Sequence, residues 1–144
     1  MNDFNLDRFV IAQAHTYATA LEELRSGRKR SHWMWFVFPQ LKGLGRSAVS
    51  EEYGLRGLPE TRAYLMHPLL GARLRESTQA MLGHRTLAAD EILGALDAVK
   101  FRSCLTLFTH ADSADPLLGS ALEHFFQGEG DPRTLALLDA HGDA

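Results

Sequence analysis

Leu6, Phe9, Val10, Ala14, Tyr17, Leu21 and Leu24 recur at the three- and four-residue spacing that lines up one face of a helix. The spacing predicts one long amphipathic helix. Asn5 stands where an N-cap is wanted, and Phe4 and Phe9 flank it as a hydrophobic staple. Gly27 marks the stop, with Arg25, Arg28 and Lys29 near the negative end of the helix dipole. Then the pattern changes. Trp33 to Phe38 is continuously apolar, too short for periodicity to assign, and Pro39 closes it. No partner strands are apparent elsewhere, so helix or irregular structure is expected there.

Turn residues divide the remainder. Gly43-Leu44-Gly45-Arg46-Ser47 reads as a loop whose Ser47 caps a short helix ending at Gly54. Pro59 opens a helix that stops near His67, and Pro68 opens the next, which runs to Gly83. A short helix is expected from Ala88 to Gly94, and Asp97 is expected to cap another through Phe101, Cys104 and Phe108. Asp115-Pro116 and Asp131-Pro132 are two copies of one start signal, an aspartate cap followed by proline. The sum is an all-α fold of about seven helices of uneven length, with an aromatic-rich insertion after the first long one. Residues 1–144 form one domain on this reading, with no repeat or linker, and His141 to Ala144 is expected to be a loose tail.

Composition narrows the function classes. Hydrophobic residues make up 45% and charged residues 23% of 144, enough apolar surface for a packed core. The net charge of -3 weighs against nucleic-acid binding, which draws on a basic excess. One cysteine, Cys104, excludes an intramolecular disulfide and favours a reducing compartment. No secretory pattern opens the chain and no apolar run approaches the ~18 residues of a membrane span, so a cytoplasmic protein away from membranes is expected.

The candidate site is the segment from Arg28 to Ser47. Arg28, Arg30 and Arg46 offer planar cations suited to phosphate or carboxylate, Trp33 and Trp35 offer flat faces for stacking, and Gly45 lets backbone approach a ligand. The same composition also describes a core segment beside a solvated basic turn. His32 is the candidate acid or base, although a histidine at a core boundary is the commoner role. Lys100 and Arg102 join the set because cations in the first turns after an Asp97 cap oppose the helix dipole, and either a bound anion or a nearby carboxylate would have to compensate. No His-Glu-x-x-His pair, zinc-binding cysteine set, Walker loop or nucleophile elbow is present, so no metal and no cofactor is expected. The leading expectation is binding of, with or without catalysis on, an anionic nucleotide-like or phosphate-containing small molecule. The alternative is a protein-interaction module without catalysis, with a protein partner or a homodimer.

Gly27 to Phe36, Phe38-Pro39-Gln40 and Gly43 to Ser47 closely resemble the hallmark of the bacterial domain of unknown function 1810 family. Arg62-Ala63-Tyr64-Leu65, His67-Pro68, Leu74-Arg75-Glu76, Lys100 to Ser103, Thr106 to Phe108 and Asp131 to Thr134 extend the resemblance over nearly the whole chain. It implies a mainly helical single domain. It brings no activity and no catalytic residues with it.

Overall fold

Glycine, proline and aspartate punctuation divides residues 4–140, those described by the computed structural model, into ten α-helices. They are α1 (Asp7–Gln13), α2 (Tyr17–Ser26), α3 (Met34–Val37), α4 (Ala48–Tyr53), α5 (Leu58–Met66), α6 (Pro68–Leu82), α7 (Ala89–Leu93), α8 (Ala95–Ala111), α9 (Pro116–Phe126) and α10 (Pro132–Ala140). The fold is all-helical and forms a single compact domain. Among the described residues the one β feature is an isolated bridge between Leu41 and Leu55.

The count exceeds the expected seven or so partly because the first apolar stripe covers two helices and the aromatic-rich insertion holds α3. The chain breaks at Ala14 to Thr16, where the Thr16 hydroxyl turns back to the Ala12 carbonyl at 2.6 Å. Two anchors pull the halves apart. Gln13 is buried and donates to the Phe36 carbonyl and the Tyr64 hydroxyl, while the Tyr17 hydroxyl reaches the Arg73 carbonyl and the Glu76 carboxylate on α6. Tertiary packing overrides the continuous periodicity, and Ile11 is left 72% exposed. Asn5 is not the cap. It takes φ 52, and Leu6 precedes α1 without a side-chain cap. The carbonyls of Phe4 and Asn5 are instead held by the Arg8 guanidinium, which also pairs with the buried Glu60 at 2.9 Å.

Other punctuation acts as its chemistry dictates. Gly27 closes α2 at φ 80, with the Arg28 amide reaching back to the Glu23 carbonyl. Ser47 caps α4, Asp115 caps α9, and Asp131 accepts from the Thr134 amide at the start of α10. His67 ends α5 and caps α6, its Nδ1 accepting from the amides of Leu69 and Leu70. Asp97 does not cap α8. Gly94, at φ 90, ends α7 and starts α8 by itself, which moves Asp97 inside the first turn.

α8 is the centre of the core. Phe101, Cys104, Leu105, Leu107 and Phe108 are fully buried on it, and α3, α5, α7, α9 and α10 pack around it. The aromatic-rich stretch is part of that core: Trp33 and Phe38 are buried, and the Phe38 ring lies 4.7 Å from that of Phe101. The expected loose tail from His141 to Ala144 lies outside the described residues. Among the described residues no helix is long and apolar enough to cross a membrane.

Candidate functional site

The two tryptophans of α3 and its N-cap have different surroundings. Trp33 is buried, and its indole N–H donates to Glu23 Oε1 at 2.9 Å. The amides of Arg30 and Ser31 and the Ser31 hydroxyl donate to the same carboxylate, at 2.9, 3.1 and 2.7 Å. Burial alone would raise the Glu23 pKa. The four donors outweigh it and bring the group down to about 2. Glu23 therefore moulds the basic turn and pins Trp33. Trp35, two positions on, is only half-buried and stands between two clefts.

The first cleft, about 230 Å³, is lined by Lys29, His32, Trp33, Trp35, Asp97 and Lys100 among others. Its charges are already paired. Asp97 receives Lys29 at 2.9 Å and Lys100 at 3.0 Å. Burial would raise the pKa of Asp97, and the two ammonium groups bring it below the ordinary carboxylate range. The Lys100 ammonium also lies 4.9 Å from the centroid of a Trp35 ring. The carboxylate that compensates a cation in the first turns of α8 is thus Asp97.

The second cleft, about 330 Å³, is built from three separate stretches. Trp35, Gln40, Leu44 and Gly45 come from α3 and the loop after it. Leu96, Val99, Lys100 and Ser103 form one face of α8, at the i, i+3, i+4, i+7 spacing of neighbours on a helix. Asp131 and Arg133 come from the start of α10. Hydrogen bonds fix each wall. The Gln40 carbonyl accepts from the Leu55 amide at 2.9 Å, Arg133 donates to the Leu44 carbonyl at 2.7 Å, and the Asp131 amide donates to the Thr106 hydroxyl at 2.8 Å. Gly45 is required by crowding, since a Cβ there would sit 2.8 Å from Ser50 and 3.2 Å from Trp35.

One polar group in this cleft is unsatisfied. Gln40 is 4% exposed, and its Nε2 is buried without a hydrogen-bond partner. A buried donor left unpaired costs about 1–3 kcal/mol, so it calls for an explanation.

Of the residues singled out in the sequence, the structure brings Trp35, Gly45 and Lys100 to the second cleft, and His32, Trp33, Trp35 and Lys100 to the first. Arg28, Arg30 and Arg46 are exposed and line neither. Arg102 lies about 200° around α8 from Lys100 and donates to the carbonyls of Glu129 and Gly130, clamping the loop before α10. Gln40 lies inside the candidate segment but is given no role by the sequence, Ser103 reads there as a cap or turn residue, and Asp131 and Arg133 are not candidates. Their signal was present, because Phe38-Pro39-Gln40, Lys100 to Ser103 and Asp131 to Thr134 are among the stretches that carry the family resemblance, and the fold gathers all three here. Among the described residues no group of three or more His, Cys, Asp or Glu is placed to hold a metal ion.

The comparisons agree with the fold. The crystal structure of the conserved hypothetical protein Rv1873 from Mycobacterium tuberculosis is 47% identical and superposes with a TM-score of 0.93, over 96% of this chain and 99% of that one. No curated protein matches the chain. The model for the family described as protein of unknown function (DUF1810) matches residues 3–138, so the chain belongs to that family.

Proposed function

We propose that the second cleft binds an anionic small molecule carrying a planar, nucleotide-like group. The observation behind this reading is that Trp35, Lys100 and Arg133 share one concave site. The partly exposed indole offers a face for stacking, and Arg133, with Lys100 shared with Asp97, offers a counter-charge for phosphate or carboxylate. A volume of about 330 Å³ falls within the range of small-molecule sites. The residues assigned to binding are Trp35, Gly45, Lys100 and Arg133. His32, the candidate acid or base of the sequence, lines the first cleft and not the second, and is assigned no role toward this ligand.

A thermal-shift series with nucleotides, ADP-ribose-type compounds and sugar phosphates tests the reading. A compound at 100 times its Kd is expected to stabilise the wild-type fold by about 2.7 kcal/mol. The shift should vanish in Arg133→Ala and Trp35→Ala and persist in Arg28→Ala, which lies outside the cleft. An absence of any shift, or one equal in all four proteins, overturns it.

The rival reading, a protein-interaction surface, draws on Leu96 and Val99, which are 81% and 57% exposed on the rim of the same cleft. It predicts self-association or partner capture that Leu96→Glu abolishes, while ligand shifts stay absent.

A further inference from the structure

We infer that the ligand carries a nitrogen heterocycle whose edge is read by Gln40 and Asp131. This rests on the second cleft being the ligand site. Gln40 lines that cleft, is almost fully buried, and holds a carboxamide nitrogen with no partner in the protein. Its neighbours fix the backbone and leave that nitrogen unused. The Gln40 main-chain carbonyl is taken by the Leu55 amide, whereas the side-chain Nε2 has no partner. An amide in this state fits a ligand that brings its own acceptor, a ring nitrogen or carbonyl. Asp131 lines the same cleft and is also buried. Its Oδ2 holds the Thr134 amide and hydroxyl, so the carboxylate is fixed in place by α10 and can only accept. A donor side chain from the loop after α3 and an acceptor side chain from the start of α10, lining one cleft with an indole, match a flat ring that presents both an acceptor and an N–H. Nucleobases have such an edge and a simple aryl ring does not. The anion of the same molecule then meets Lys100 or Arg133 at the mouth.

Titration calorimetry with uridine and adenosine 5′-monophosphates, and with phenyl phosphate as the edge-free aryl anion, tests the assignment. Wild-type protein is expected to bind at least one nucleotide ~10-fold or more tightly than phenyl phosphate, because a site built around a buried hydrogen bond rejects the analogue lacking it. Gln40→Leu should lower the nucleotide to the phenyl phosphate level, leave phenyl phosphate within twofold, and keep or raise Tm. Gln40→Met gives the same reading should the leucine variant fail to fold. Equal wild-type binding of all three compounds, or a nucleotide preference that survives in both variants, overturns the edge assignment and leaves the anion site standing. No binding of any of the three to wild type removes both.

Discussion

Glu23 sits under the turn from Arg28 to Trp33 as an ionised group with almost no solvent, stabilised by four donors. Its pKa is depressed from an ordinary 4.5 to about 2. A depressed carboxyl stabilises the fold fully above its unfolded value and loses that contribution as pH falls through the folded one. Glu23→Gln is therefore expected to cost about 1–2 kcal/mol at pH 7, since charge-assisted hydrogen bonds become neutral ones. The gap between wild type and variant should close as pH drops from about 4.5 toward 2. Urea midpoints at pH 7, 4 and 2.5 measure it, and a gap that stays constant would count against the assignment. The sequence showed a basic, aromatic turn worth attention here. It could not show that a glutamate five residues before Arg28 organises the turn, nor which tryptophan is core. Both depend on where α2 ends relative to α3.

At the scale of elements, glycines mark where helices touch and where they do not. Gly71, in the first turn of α6, faces the end of α5: a Cβ there would lie 2.2 Å from the Leu65 carbonyl oxygen, a backbone atom that cannot swing away. Gly119, on α9, is exposed with open space around it. Gly71→Ala is expected to lose about 3 kcal/mol or more through overpacking. Gly119→Ala should gain about 0.5–1 kcal/mol from helix propensity. Denaturant unfolding of the two variants checks the pair, and a stable Gly71→Ala would disprove the close crossing. Local signals at Ser47, Pro68, Gly83, Asp115 and Asp131 were legible because each acts within one turn of chain. The break at Ala14 to Thr16 and the Gly94 junction were not, because Gln13, Tyr17 and the packing of α7 on α8 decide them from a distance.

Over the whole molecule, α8 is the element that the others share. Cys104 lies at its middle, 0% exposed, with burial pushing its thiol pKa well above the ordinary value. It lies on the helix that five others surround, so thiol labelling of the native protein is expected to proceed only through global opening. The labelling rate at saturating reagent should equal the unfolding rate measured by fluorescence. Faster labelling would mean that the region around α8 opens on its own. The all-α class was readable from periodicity and turn chemistry. The cleft was readable only as scattered motifs, since its walls are far apart in the chain and meet only once α8 is surrounded.

That distance has a consequence for how the site comes into being. Residues 35–45, 96–103 and 131–133 must all be in place before the second cleft exists. On the proposed reading, binding competence needs all three stretches at once. An occupant of the proposed site would tie the start of α10 to the loop after α3, and so act as a latch on α10.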